Sequence, residues 1–152
     1  MTSGKAVVLA EVADVDALFD VLRAASPTGW SRAQLLEELE HDDAEVFCFE
    51  KGGLRAFLAA RRIGDEFWVM EVATHPDSRR RGAARALLQK AMSRAADEGL
   101  PLWLEVRASN VAAIALYLDC GFVELGRRPG YYRSVSGRED ALQMRWLPVE
   151  AS

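Results

Sequence analysis

The sequence predicts an α/β (α+β) domain: a mixed, mostly antiparallel central sheet of about seven strands, with four helices on both faces. Three observations carry this. Short apolar runs of strand length alternate with stretches of helical period, in the order β-α-α-β-β-β-α-β-α-β-β. Two glycine-marked turns, Lys51-Gly52-Gly53 and Gly64-Asp65, join the three middle strands as hairpins. A strand ending at Thr74 then passes through an Arg-rich glycine turn into a helix and on to the next strand. Such a crossover makes a parallel pair at the centre of the sheet. At 152 residues the chain, 1–152, reads as one domain able to bury a full core.

Each element has a local reason. Lys5–Val12 is an apolar run and the first strand. Asp14 is positioned to cap a helix whose Val15, Leu18, Phe19 and Leu22 recur at helical spacing. Ser26-Pro27-Thr28-Gly29 ends it. Ser31 with Gln34 forms a capping box before Leu35, Leu36 and Leu39 on a second helix. The acidic run from Glu37 to Asp43 reads as a solvated face and loop, since it has no calcium-loop spacing. The meander follows: Glu45–Glu50, Leu54–Ile63 and Phe67–Thr74. The helix after Gly82 runs to about Glu98, where Gly99 supplies a stop. Pro101–Arg107 is a strand, Asn110–Asp119 a short helix, and Phe122–Gly126 a strand. A loop containing Pro129-Gly130 and Ser136-Gly137 leads to the last strand, Ala141–Trp146.

Composition narrows the function classes. Half the residues are hydrophobic and 28% are charged, as in an ordinary globular protein. A net charge of −4 argues against a nonspecific nucleic-acid binder. No apolar run approaches the ~20 residues that span a bilayer, so no membrane role is expected. The opening MTSGKAVVLAEVADVD lacks the shape of a secretory signal, which points to the cytoplasm. Cys48 and Cys120 match no metal-ligand spacing and no disulfide framework; both read as buried thiols, and no metal is expected. With no long apolar stripe left over on the surface, a monomer is expected.

Chemistry concentrates in two stretches. The first is Val69–Leu88, where a strand leads to Arg79-Arg80-Arg81-Gly82-Ala83-Ala84 and a helix. Unpaired N–H groups and the dipole at a helix N-terminus favour an anion, and glycine and alanine keep the approach clear. Neither the P-loop nor the dinucleotide fingerprint is present. Alone, the hexapeptide fits an ordinary basic helix start equally well. The second is LWLEVRASNVAAIALY, Leu102–Tyr117, followed by Gly121-Phe122.

Arg79-x-x-Gly82-x-Ala84 resembles the pyrophosphate loop of the GNAT acetyltransferases. Asn110, Ala113, Tyr117, Gly121 and Phe122 match that family's N-x-x-A-x-x-x-Y-x-x-x-G-F pattern. The longer string LEVRASN…A…ALY…GF, with Trp30-Ser31, Tyr131-Tyr132 and Arg138-Glu139-Asp140-Ala141, is similar to one bacterial branch. That branch acetylates the N-terminal alanine of a small-subunit ribosomal protein. The likeness covers nearly the whole chain.

The resemblance implies a GNAT fold with a splayed parallel pair, acetyl-CoA as co-substrate, and a protein or peptide N-terminus as acceptor. It implies Glu105 as general base and Tyr117 as general acid. It implies that Val72, Ala73 and Thr74 pair by backbone with the pantetheine arm, the N–H of Val72 also serving as oxyanion donor. Arg80, Arg81, Gly82, Ala83, Ala84 and Arg85 wrap the pyrophosphate, and Asn110 binds pantetheine or phosphate. Tyr131 and Tyr132 wall the peptide groove, with Trp30 and Trp68 able to narrow it.

From the residues alone, Glu105 shares a strand face with Trp103 and Arg107 and reads as a solvated charge or an ion-pair partner of Arg107; only the motif makes it the base. Two departures from the branch stand out. Glu71 replaces the usual Asn, at a position where other GNAT enzymes place their base, and His75 replaces an Asp. His75, beside Pro76, fits a cap or a solvent-facing side chain. Two other functions remain open: acetylation of a small-molecule amine, and a non-catalytic acetyl-CoA sensor.

Overall fold

A computed structural model describes residues 7–26, 29–49, 53, 55–79, 82–134 and 137–149. The strands are β1 (Val7–Leu9), β2 (Ala44–Phe49), β3 (Ala56–Ile63), β4 (Glu66–Thr74), β5 (Leu102–Arg107), β6 (Val123–Ser134) and β7 (Gly137–Trp146). The helices are α1 (Val15–Ala25), α2 (Arg32–Glu40), α3 (Ala83–Asp97) and α4 (Val111–Asp119). One seven-stranded sheet runs β1-β2-β3-β4-β5-β7-β6. Among the described residues, every pairing is antiparallel except β4–β5.

That parallel pair determines the shape of the site. β4 and β5 are in register at Phe67↔Leu102 and Trp68↔Trp103. Beyond Trp68 they part, leaving the β5-facing edge of Val69–Thr74 open. A cause lies on the other side of β4. Against β3, Ala60 pairs with Val69 but Ala59 pairs with Glu71, so Met70 is an extra residue. Such a bulge bends a strand and increases its local twist.

The sheet has a core on each face. Leu87, Leu88, Ala91 and Ala95 of α3, with Tyr117 of α4, pack against Phe47, Leu58, Leu102, Leu104, Val106 and Met144. Val15, Leu18, Val21, Leu22 and Leu35 of α1 and α2 cover Val46, Cys48, Phe57, Ala59 and Ala73. The alternation along β3, with Phe57 on one side and Leu58 on the other, is the period-two pattern of a strand buried on both faces.

The capping box of α2 forms as read: Ser31 Oγ accepts from the Gln34 N–H at 3.1 Å, and Gln34 Oε1 accepts from the Ser31 N–H at 2.8 Å. Gly82 is the N-cap of α3 at φ +78°, a conformation an L side chain adopts only with strain. A Gly82→Ala variant is therefore expected to lose about 1 kcal/mol of stability. Thermal unfolding beside the unmodified protein checks this.

Several readings are corrected. Asp14 precedes α1 but does not cap it; its Oδ2 accepts from the Glu11 N–H at 2.8 Å and closes the preceding 3₁₀ turn. The acidic run is not wholly solvated. Glu38 is buried, 3% exposed, and ion-pairs with Arg61 of β3, because one face of α2 must pack on the sheet. Cys48 is buried, but Cys120 is only half-buried, at the C-cap of α4. The segment around Pro129-Gly130 is not a loop between short strands. It is an irregularity inside a long β6–β7 hairpin, where the register slips between Arg128 and Tyr132. The turn residues Pro27, Thr28, Lys51, Gly52 and Ser136, together with Lys5, Leu54, Arg80 and Arg81, lie outside the described residues.

Candidate active site

The parting strands open a cleft of about 1190 Å³. From β4 it is lined by Trp68, Glu71, Val72 and Thr74, and from β5 by Glu105 and Arg107. α3 contributes Gly82, Ala83, Ala84 and Arg85; α4 contributes Asn110 at its start and Tyr117 from its interior. Trp30, from the segment between α1 and α2, and Tyr131 and Tyr132 of β6 close the far side. Ala73 differs. Its side chain is buried under α1 and α2, so only its backbone can serve the cleft.

Glu71 sits on the bulge and is pushed up to about 7 by burial, against the opposing pull of a hydrogen bond from the Val72 N–H to its Oε1 at 3.2 Å. The N–H nominated as oxyanion donor is thus already engaged by a neighbouring carboxylate. Tyr117 is 8% exposed and its phenol is pushed up to about 12, chiefly by burial and then by the charges of Glu71 and Tyr132. Tyr132 is raised as well, by burial and then by Glu105. Two carboxylates and two phenols, from β4, β5, α4 and β6, line this one cleft.

Glu105 is 17% exposed, and its partner is Arg128 of β6 rather than Arg107. Nε of Arg128 lies 2.6 Å from Oε2 of Glu105, a charge contact without hydrogen-bond alignment. Arg107 instead stacks on Tyr132, with 4.4 Å from guanidinium carbon to ring centroid. Tyr131 and Tyr132 meet edge to face at 5.0 Å. Trp68 and Trp103 stack at 5.5 Å where β4 and β5 separate.

At the other end of the cleft, the first turn of α3 presents its N–H groups, with Gly82 leaving the approach open. Arg85 reaches across to Asp119 of α4 at 2.8 Å. Asn110 caps α4, its Oδ1 accepting from the Ala113 N–H at 3.2 Å. His75 Nδ1 accepts from the Asp77 N–H at 3.1 Å, a capping role.

Two features of the site escaped sequence reasoning. Ser78 is buried in the cleft wall, on a 3₁₀ turn that only Pro76 hinted at. The contact of Arg128 with Glu105 spans two strands and leaves no local signal. Among the described residues, no group of His, Cys, Asp and Glu is arranged to hold a metal, and no helix is long and apolar enough to cross a membrane.

The gap between the parted strands β4 and β5 is thus bordered by the start of α3 and lined by carboxylates and tyrosines. Residues 15–122 match the acetyltransferase (GNAT) family, and the chain belongs to it. It is 36% identical over 140 residues to the [ribosomal protein bS18]-alanine N-acetyltransferase of Escherichia coli strain K12, covering 91% of this chain and 94% of that one. It is 36% identical over 121 residues to the N-alpha-acetyltransferase RimI of Mycobacterium tuberculosis, covering 76% and 74%. The crystal structure of the ribosomal-protein-S18-alanine N-acetyltransferase from Escherichia coli superposes with a TM-score of 0.89 at 34% identity, over 96% of this chain and 95% of that one.

Proposed function

We propose that the protein transfers acetyl from acetyl-CoA to the N-terminal α-amine of a protein, alanine first, such as a small-subunit ribosomal protein. The observation that carries this reading is the convergence of Glu105, Glu71 and Tyr117 beside the open edge of β4. The similarity to the bS18-alanine enzymes supports the acceptor. Residues 1–152 act as one catalytic domain, with one sheet carrying both cores.

In this reading the pantetheine arm lies along Val72–Thr74, adding hydrogen bonds to the unpaired strand edge. The pyrophosphate rests on the N–H groups of Gly82 to Arg85, Arg80 and Arg81 being assigned to it by the sequence motif alone, and Asn110 holds the arm from the other wall. The amine nitrogen attacks the thioester carbonyl carbon and a C–N bond forms. Its proton passes through water to Glu105. The oxyanion takes the Val72 N–H, displacing the Glu71 carboxylate from it. The C–S bond breaks and Tyr117 protonates the leaving thiolate. A phenol at about 12 stays protonated at neutral pH, the form an acid requires. An α-amine, with a pKa near ~8, is partly neutral at working pH and needs less from the base than a lysine near ~10.4.

A second reading has Glu71 as the proton acceptor. Its burial, which places it near 7, favours that role, since a base works best when its pKa lies near the operating pH.

The test is turnover with acetyl-CoA on four acceptors: a short peptide beginning Ala-Arg-Tyr, the same peptide blocked at its N-terminus with an internal Lys free, spermidine and an aminoglycoside. Turnover confined to the free Ala peptide is expected. Turnover only on a small amine would overturn the acceptor. Binding of acetyl-CoA with no turnover on any would favour a sensor.

A further inference from the structure

Glu105 is reached from an unexpected direction. In the sheet β7 lies between β5 and β6, so a side chain on β6 must cross β7 to touch β5. Arg128 pairs with Ala141, Ala141 pairs with Arg107, and Glu105 pairs with Gln143 one step along. Paired residues share a sheet face, and so do residues two apart on a strand. Arg128, Ala141, Arg107 and Glu105 therefore project from the same side. Ala141 is the small residue between them, and it is fully covered. Over it the Arg128 side chain spans to Oε2 of Glu105 at 2.6 Å.

The far end of this bridge is held. Pro129-Gly130 bulges out of β6, with Gly130 at φ +61°. Its N–H donates to Asp140 Oδ1 at 3.1 Å and its carbonyl accepts from Arg138 at 3.0 Å. The Arg128 guanidinium also lies 5.3 Å from the centre of the Tyr131 ring. Arg128 thus joins the carboxylate of β5 to the tyrosine wall of β6. Oε2 of Glu105 is shut away from solvent beneath it, so the accessible part of Glu105 is not Oε2.

Resting on the function proposed above, we infer that Arg128 is a positioning residue that clamps Oε2 of Glu105 across β7 and thereby turns the other carboxylate oxygen toward the acceptor amine. The proton acceptor and the acceptor-peptide wall then move as one unit. Misplacing a catalytic group by about 1 Å costs roughly 100-fold in rate, so a lost clamp is felt in turnover rather than in cofactor binding.

The experiment compares Arg128→Gln, Arg128→Lys and the unmodified protein by two readouts. The first is steady-state acetylation of the Ala peptide. Arg128→Gln is expected to lower kcat by about 10- to 100-fold with the KM for acetyl-CoA and the thermal midpoint unchanged. Arg128→Lys is expected to recover part of the loss, because it restores the charge but places it differently, on a flexible stem without the guanidinium that faces the Tyr131 ring. Millimolar guanidinium is expected to raise the turnover of Arg128→Gln. The second readout needs no acceptor. It is the 13C resonance of the Glu105 carboxyl carbon, assigned by its disappearance in Glu105→Gln. This resonance is expected to move in Arg128→Gln and to return toward its original position with guanidinium.

An unmoved resonance overturns the clamp whether or not the acceptor is right. A moved resonance with no turnover of the Ala peptide by the unmodified protein retains the clamp and overturns the acceptor. Equal loss in both variants with a lowered thermal midpoint assigns Arg128 a merely structural role and overturns the proposal.

Discussion

Replacing Glu105 by Gln is expected to slow acetylation of the Ala peptide by two to four orders of magnitude while acetyl-CoA binds as before, the range that general-base catalysis typically supplies. The side chain keeps its size, so the loss reports the proton acceptor rather than packing. The deficit is sharpest at low pH. As pH rises through the α-amine pKa of ~8, more of the acceptor arrives already neutral and less is asked of the base. Steady-state rates from pH 6 to 9 with calorimetric titration of acetyl-CoA check both halves. Full activity in Glu105→Gln, with loss in Glu71→Gln, would transfer the role to Glu71. Arg128 would then have no proton acceptor to position.

Glu71→Gln carries the second large effect, on stability. Burial raises the Glu71 carboxyl from an ordinary 4.5 to about 7. Between those values the unfolded chain has released the proton that the folded protein still holds. Stability therefore falls as pH rises through this window. The contribution of neutral Glu71 is fully present below 4.5 and is gone above about 7. The interval corresponds to about 3 kcal/mol. The amide of the Glu71→Gln variant is neutral throughout and loses nothing. The variant is thus expected to gain on the unmodified protein by about 3 kcal/mol between pH 4.5 and pH 7.5, measured by urea unfolding across the series. A constant difference between the two proteins would mean that Glu71 is solvated. A residue that costs stability when ionised, yet faces the gap between the strands, is more simply explained by function than by folding.

Legibility followed the range of the interactions. The order of elements, the Ser31–Gln34 box, Gly82 at the start of α3 and Asn110 at the start of α4 are settled within a few residues of chain, and the structure agrees with them. Pro129-Gly130 misled because its turn chemistry is also local, whereas the pairing of β6 with β7 that absorbs it as a bulge is not. Glu38 misled because a charge run reads as solvent-facing until the helix is placed on a sheet with Arg61 beneath it.

By itself the sequence determined the fold class, the family resemblance and the types of residue available for chemistry, since periodicity, capping and spacing are properties of neighbours along the chain. Only the tertiary structure decided how those residues meet. It parts β4 from β5 after Trp68, seats Glu71 on a bulge with its carboxylate on the Val72 N–H, and pairs Glu105 with Arg128 instead of Arg107. The physical reason is that burial and charge depend on distance through space. Arg107 is two residues from Glu105 in sequence but lies over Tyr132, whereas Arg128 is 2.6 Å from it across an intervening strand.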